Sequence, residues 1–227
     1  MTQQYTILFD LDGTLVDTAP DLMRAHNHVM KKFGFPTKST EEIRNLVGQG
    51  ADAMLGRSIW GQAKKEFGKV QDEKIKKEMV KDFVDFYGKN IVNESTLIKG
   101  AKEFLVWCKE KKISMGVCTN KQEHLAIDLL KKIGIYNFFD YVAGHNTFEY
   151  CKPDPRHLTS VVEILGGDIR KTLMIGDSET DANAAQSAGI PVILLEDGYT
   201  EKNISEIYHN HLVKDFLGME KIVLRYL

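Results

Sequence analysis

Cysteine is scarce in this sequence of 227 residues, which contains three of them. Cys108, Cys118 and Cys151 form no Cys-x-x-Cys pair, and their odd number does not favour a disulfide framework. We therefore predict reduced thiols, with Cys108 and Cys118 packed in the core. The alternative of a nucleophilic Cys118 is disfavoured because its motif contains no histidine.

The sequence also lacks an excess of charge of one sign and any long apolar run. Its 30 basic and 32 acidic residues give a formal net charge of -2, which argues against nucleic acid as the main partner. No apolar run is long enough to span a bilayer, so no membrane partner is expected. A strand-like segment begins near residue 5 without a basic region or cleavage site before it, which predicts a cytoplasmic protein.

Short apolar runs are present instead, and each ends in acids, small residues or a turn. Their continuous Val, Ile, Leu and Met content is typical of strands buried on both faces of a parallel sheet. Amphipathic helical patterns separate them, which predicts a doubly wound, Rossmann-like α/β fold. The predicted strands are 6–10, 113–120, 140–144, 172–177 and 191–197, and the helices are 101–112, 124–133, 155–165 and 180–188.

One region interrupts this alternation of strands and helices. From about residue 16 to residue 86 the sequence shows helical patterns and no convincing buried strand. We therefore divide the chain into an α/β core, residues 1–15 and 88–227, and an inserted helical cap, residues 16–87. Such an insert is suited to cover the carboxyl ends of the strands, where ligands bind in these sheets.

Acidic and polar side chains follow the predicted strands. Asp10 and Asp12 end the first strand, and VCTN ends another with Thr119 and Asn120. TLMIGDSETD contributes Asp177 and Asp181, and CKPDP contributes Lys152. Because these segments leave the same edge of the sheet, we expect their side chains to converge. An all-oxygen group of acids favours a hard cation, which predicts Mg²⁺ as the cofactor.

This set of residues predicts phosphoryl chemistry. A carboxylate can attack a phosphoryl group covalently, while a cation, a lysine and a hydroxyl stabilise the charge on its oxygens. A second carboxylic acid two residues further along can protonate the leaving oxygen and later accept a proton from water.

Four motifs, DLDGTLVD, VCTN, KPDP and GDSETD in this order, resemble those of the haloacid dehalogenase superfamily, within it the phosphatases with a helical cap. The resemblance implies that Asp10 is the nucleophile and Asp12 the general acid/base. It implies that Thr119 and Lys152 bind the phosphoryl group. It also implies a metal site formed by Asp10, the Asp12 main-chain carbonyl and Asp177, with Asp181 supporting it.

The closer resemblance is to phosphoglycolate phosphatases, through RNLVGQGADAMLGR (residues 44–57) and VILLEDGYTEKNISEI. It implies a small phosphorylated metabolite as substrate, with 2-phosphoglycolate preferred. In the cap, Gln49–Gly50 is a candidate loop tip near the site, and the alternative is an ordinary turn. Arg57 is a candidate contact for a substrate carboxylate, and the alternative is a solvated helix arginine. Asn120 is expected to line the site.

Other functions use similar residues. A phosphomutase of the β-phosphoglucomutase type would use the same Asp10 and Asp12, and a pyrophosphatase or nucleotidase would differ in substrate. A signalling receiver domain also gathers acids, a Thr/Ser and a Lys around Mg²⁺, but it lacks so large a helical insert. It also lacks an acid/base two residues after the nucleophile. The sequence leaves open whether the protein is a monomer or a homodimer.

Overall fold

A computed structural model of the protein describes residues 5–60, 70–200 and 202–226. Three short 3-10 helices lie between the main elements, at Tyr136–Phe138, Ile169–Lys171 and Ile204–Glu206. The strands are β1 (Thr6–Phe9), β2 (Val16–Asp17), β3 (Thr96–Leu97), β4 (Ser114–Cys118), β5 (Tyr141–Ala143), β6 (Thr172–Gly176), β7 (Val192–Leu195) and β8 (His211–Val213). The helices are α1 (Ala19–Phe33), α2 (Thr40–Arg44), α3 (Ala51–Trp60), α4 (Val70–Lys89), α5 (Ala101–Glu110), α6 (Glu123–Lys132), α7 (Arg156–Ile164), α8 (Glu179–Ala188) and α9 (Met219–Val223).

A six-stranded parallel sheet, in the order β5-β4-β1-β6-β7-β8, forms the centre of the fold. The predicted doubly wound α/β class is confirmed, and each of the five predicted strands is present. The sequence analysis missed β8, whose three residues are all partly exposed at the edge of the sheet and therefore form no continuous apolar run.

Helices cover both faces of this sheet. On one face Ile7 and Phe9 of β1 join a core that includes residues of α5, α6 and α9. On the other face Leu8 joins residues of α7 and α8. Because neighbouring residues of β1 point to opposite faces and each meets a helical layer, the whole strand is buried. The polar residues that follow β1 therefore lie at a sheet edge with packed walls.

In the described residues, the inserted region contains the helices α1 to α4, with one difference from the prediction. The expectation of an insert without strands was wrong at its beginning, where β2 pairs antiparallel with β3. Two-residue strands give too short a pattern to be seen in a sequence. The helix α4 continues to Lys89, past the predicted boundary at residue 87, and that boundary stays a prediction. Residues 61–69 of the predicted cap lie outside the described residues.

The start of the first inserted helix, α1, is joined to the loop after β7 by hydrogen bonds. Thr18 occupies the N-cap position and Pro20 lies in the first turn, where a proline costs no hydrogen bond. The Thr18 side chain makes no capping bond to the helix. Instead the Tyr199 hydroxyl accepts hydrogen bonds from the N–H groups of Thr18 and Ala19, at 2.8 and 2.9 Å.

Asp21, in the first turn of α1, connects this helix to the segment that returns to the core. Its Oδ2 accepts hydrogen bonds from the N–H groups of Asn93, Glu94 and Ser95, and from the Ser95 hydroxyl at 2.7 Å. Burial acts to raise the pKa of Asp21, but these donors outweigh it and hold the pKa below its ordinary value. A single buried carboxylate thus fixes the second connection between the insert and the core.

None of the described helices combines the length and the apolar character that a membrane-spanning helix requires.

We expect Asp21→Ala to lower the free energy of unfolding by about 3 kcal/mol, because it leaves several buried N–H donors without an acceptor. Urea unfolding followed by circular dichroism measures this change. The matched control is Asp85→Ala, which breaks an exposed helical ion pair with Lys81 and is expected to leave the midpoint almost unchanged. Equal effects of the two substitutions would contradict the role assigned to Asp21.

Candidate active site

Three buried carboxylates meet at the carboxyl ends of β1 and β6. Asp10 follows β1, Asp177 follows β6, and Asp181 lies in the first turn of α8. One carboxylate oxygen from each lies within 4.8 Å of the others. The predicted convergence of Asp10, Asp177 and Asp181 is thus present in the structure, because β1 and β6 are adjacent parallel strands.

Lys152 supplies the positive charge in this cluster. Its Nζ lies 2.8 Å from Asp10 Oδ1 and 2.6 Å from Asp181 Oδ1, and its side chain is 1% exposed. Burial acts to lower the pKa of Lys152, but the charges of Asp10 and Asp181 outweigh it and raise that pKa above its ordinary value. The lysine is therefore a permanent cation, held between two acids.

Asp181 is oriented through both of its carboxylate oxygens. While Oδ1 faces Lys152, Oδ2 accepts hydrogen bonds from the N–H groups of Asp177 and Ser178, and from the Ser178 hydroxyl at 2.7 Å. The bond from the Ser178 N–H belongs to a capping box at the start of α8. Asp181 therefore fixes the strand-to-helix turn and the lysine at the same time, which suits its predicted supporting role.

Asp177 is held by the glycine turn after β1 and by the loop after β7. Its Oδ1 accepts a hydrogen bond from the Thr14 hydroxyl at 3.1 Å, and its Oδ2 accepts one from Tyr199 N–H at 2.7 Å. Gly13, at φ +80°, makes this approach possible, since a Cβ on that residue would lie 2.1 Å from Asp177 Oδ2.

The electrostatics of the cluster favour a bound cation. Burial, together with the charges of Asp181 and Asp12, raises the pKa of Asp10 to about 6 against the opposing effect of Lys152. Burial and the charge of Asp10 raise the pKa of Asp177 as well. One lysine therefore does not balance the acids, and their oxygens are the ligand type that hard divalent cations prefer. The donor set thus fits a divalent metal ion held by Asp10 and Asp177.

Asp12 lies beside this cluster with a different set of partners. Lys121 Nζ donates to both of its carboxylate oxygens, at 2.8 and 2.9 Å, and the Thr18 hydroxyl donates to Oδ1 at 2.6 Å. Thr18 begins the first inserted helix, so the position of Asp12 is linked directly to the insert. Asp10 and Asp12 therefore have separate surroundings although they are two residues apart.

A cavity of about 160 Å³ opens above Asp10 and Asp12, between the sheet edge and the inserted helices. Thr119, buried at the end of β4, lines it, as does the predicted Gln49–Gly50 turn. Asn120 Nδ2 donates to the carbonyl oxygens of Gly48 and Lys152, at 3.0 and 2.9 Å. Asn120 thereby joins the inserted turn to the core at the mouth of the site.

The structure places Arg57 apart from this cavity. Arg57 donates to the carbonyl oxygen of Leu46 and lines a second, smaller cleft with Ser178, Glu179 and Thr200. Among the described residues that line the cavity above Asp10, Arg57 does not occur. Its proposed contact with a substrate carboxylate therefore stays a prediction without support from the geometry.

Lys121, Thr18 and Tyr199 are site residues that the sequence analysis missed. Lys121 directly follows Thr119 and Asn120, so its place after a strand end was a usable signal. Tyr199 donates from its hydroxyl to Asp17 Oδ1 at 2.6 Å, a contact across 182 positions of the chain that no local pattern indicates.

The site lies at the carboxyl ends of a parallel sheet, beneath inserted helices, which is the usual place of the active site in an α/β enzyme. Residues 7–195 match the family model described as haloacid dehalogenase-like hydrolase. The chain belongs to this hydrolase family.

Relatives in this family cover most of the chain. A phosphoglycolate phosphatase of Caulobacter vibrioides is 37% identical over 216 residues, covering 95% of this chain and 89% of that protein. One from Mesorhizobium japonicum is 35% identical over 210 residues, covering 92% and 90%. The crystal structure of a predicted phosphoglycolate phosphatase from Haemophilus somnus superposes with a TM-score of 0.88, at 32% identity, covering 98% of this chain and 99% of that one.

His157, buried in α7 behind the site, predicts a pH dependence of stability. Burial and the nearby charge of Lys152 lower the pKa of His157 from 6.5 to about 3. Between these values the unfolded chain binds a proton that the folded protein does not, so stability falls as the pH drops below 6.5.

We expect the parent protein to lose about 2 kcal/mol more unfolding free energy between pH 7.5 and pH 5 than the His157→Gln variant loses. Urea unfolding of both proteins at the two pH values measures the two losses. Subtracting one loss from the other removes the packing cost of the substitution, because that cost is the same at both pH values. Parallel losses in the two proteins would show that His157 is not held neutral by the fold.

Proposed function

We propose that this protein is a Mg²⁺-dependent phosphomonoester hydrolase that works through a phosphorylated Asp10, with 2-phosphoglycolate as its preferred substrate. The observation that carries the proposal is the buried Asp10 carboxylate, fixed by Lys152 at 2.8 Å beneath a cavity that is open to a small molecule. A buried carboxylate beneath such a cavity is suited to attack a phosphoryl group bound there, which supports the proposal.

In the first step an Asp10 carboxylate oxygen forms a bond to phosphorus and the ester oxygen leaves. Lys152 and the Thr119 hydroxyl are the groups of this chain that would stabilise charge on the phosphoryl oxygens. A Mg²⁺ ion held by Asp10 and Asp177 would supply further charge neutralisation at those oxygens. Asp181 would act as a positioning residue, because it holds both Lys152 and the turn that carries Asp177.

Asp12 would handle the protons. In the first step it donates a proton to the leaving alkoxide, and in the second it accepts one from the water that attacks the phosphoryl group and frees Asp10. The hydrogen bond from Thr18 to Asp12 supports this role, since Thr18 belongs to the start of the insert. Closure of the insert would therefore bring the acid/base into place together with the substrate.

The choice of 2-phosphoglycolate is supported by the names of the relatives and by the size of the cavity, about 160 Å³. A phosphomutase, a pyrophosphatase and a nucleotidase remain the competing activities. A β-phosphoglucomutase from Clostridium difficile superposes with a TM-score of 0.79 at 23% identity, covering 98% of this chain and 97% of that one, which shows a common fold alone.

A substrate panel distinguishes these activities. We expect free phosphate from 2-phosphoglycolate with a kcat/KM above those for sugar phosphates, nucleotides and pyrophosphate. An isomerised sugar phosphate formed without phosphate release would instead show a mutase, and preference for nucleotides or pyrophosphate would overturn the substrate assignment.

We expect Asp10→Asn to reduce kcat by at least about 10³-fold, because an amide cannot form the acyl phosphate. Circular dichroism and the unfolding midpoint are expected to stay close to those of the parent, since asparagine has nearly the same shape. The measurement is phosphate release under saturating substrate. A folded Asp10→Asn protein with near-parent turnover would remove Asp10 from the mechanism.

Mg²⁺ is expected to stabilise the folded protein and to be required for turnover. At about 100 times its dissociation constant a ligand of the folded state adds about 2.7 kcal/mol, or several degrees in Tm. We expect this Tm increase in the parent and in the exposed control Asp85→Asn, and its loss in Asp177→Asn. Full activity in EDTA, or an unchanged Mg²⁺ response in Asp177→Asn, would contradict the metal site.

A further inference from the structure

Lys121 is a buried cation at the boundary between the phosphoryl site and the cavity. Its side chain is 5% exposed, and its two hydrogen bonds both go to the carboxylate of Asp12. The ammonium also lies 4.5 Å from the centroid of the Tyr87 ring in α4, a distance at which the ring attracts a cation. An ammonium has three N–H donors, so this pairing leaves capacity for a further acceptor.

Much of the remaining wall of the cavity is apolar. Among the described residues that line it, Lys121 is the one lysine or arginine. Apolar side chains from the inserted helices and from α6 line it as well, including Met54, Val80, Phe83, Val84 and Leu125. The lining also contains the carboxylates of Asp10, Asp12 and Asp52, so Lys121 is the lysine or arginine of this cavity to which an anionic group of a ligand could bind.

The pairing of Lys121 with Asp12 has a consequence during catalysis. Lys121 donates to both carboxylate oxygens of Asp12, so at least one of these two hydrogen bonds must break before Asp12 can contact the leaving oxygen. A buried ammonium that loses its carboxylate partner is costly unless another anion replaces it. Because Asp12 would contact the ester oxygen, the replacing anion must lie close to that oxygen, on the adjacent carbon of the substrate.

We propose that Lys121 is a specificity-determining residue that binds an anionic group on the carbon next to the ester oxygen of the substrate. This inference rests on the proposed phosphomonoester hydrolysis and names the feature that selects the substrate. The chemical class is an α-phosphooxy carboxylate, of which 2-phosphoglycolate is the smallest member. Lys121 thus takes the role that the sequence suggested for Arg57.

The test compares 2-phosphoglycolate with ethyl phosphate, which has the same skeleton with a methyl group in place of the carboxylate. We expect the parent to prefer 2-phosphoglycolate in kcat/KM, and Lys121→Met to reduce that preference by about 10- to 100-fold, mainly through KM for 2-phosphoglycolate. Lys121→Arg, which keeps the charge, is expected to retain most of the preference. Lys109→Met, which removes an exposed lysine paired with Asp140, is the matched control and is expected to behave as the parent.

A purely positional role for Lys121, acting through Asp12, would lower kcat equally for both substrates and leave their ratio unchanged, which would overturn the proposal. A parent without preference for 2-phosphoglycolate would overturn it too. A parent that releases phosphate from neither compound nor from any other monoester would instead refute the proposed function.

Two further measurements keep the test decisive. If Lys121→Met turns over too slowly, the dissociation constants of both compounds are measured by calorimetry in an Asp10→Asn background. There Lys121→Met is expected to weaken binding of 2-phosphoglycolate by about 10- to 100-fold and to leave that of ethyl phosphate unchanged. If Lys121→Met does not fold, Lys121→Gln replaces it in the same comparison, and equal weakening for both compounds would overturn the proposal.

Discussion

The buried ammonium of Lys152, between Asp10 and Asp181, is the interaction on which the site depends. Without it three carboxylates would face one another at the end of a hydrophobic sheet, where burial and repulsion disfavour their charge. The lysine offsets part of that repulsion, and the remaining negative charge fits a divalent cation. The parallel pairing of β1 with β6 brings these groups together at one edge of the sheet. The same strand pairing that forms the sheet therefore also forms the charged cluster.

A second set of contacts joins this site to the inserted helices. Asp12 receives a hydrogen bond from Thr18 at the start of α1, and Asn120 donates to Gly48 in the inserted turn. Tyr199 connects Asp177 to the same helix start, through its N–H on one side and its hydroxyl on the other. Short hydrogen bonds therefore connect the inserted helices directly to Asp12 and to Asn120.

The sequence predicted the parts of this arrangement that depend on local patterns. Continuous apolar runs identified the central strands, and acids at their ends identified Asp10, Asp177 and Asp181, because strand direction places such residues on one edge. It did not identify β8 or the pair β2 and β3, which are too short or too exposed to show a period. It also missed Tyr199, whose partners are distant along the chain. Its candidate Arg57 lines a separate cleft, while Lys121, which it did not single out, lines the cavity above Asp10.

The central claim is that Asp10 carries the phosphoryl group during turnover. The most direct test is to mix the enzyme with Mg²⁺ and excess 2-phosphoglycolate, quench with acid within the first turnovers, and locate the phosphoryl group by peptide mass spectrometry. Our account predicts phosphate on the peptide that contains Asp10, at the Asp10 side chain. Phosphate on another residue, or steady phosphate release with no phosphorylated enzyme at any quench time, would contradict it.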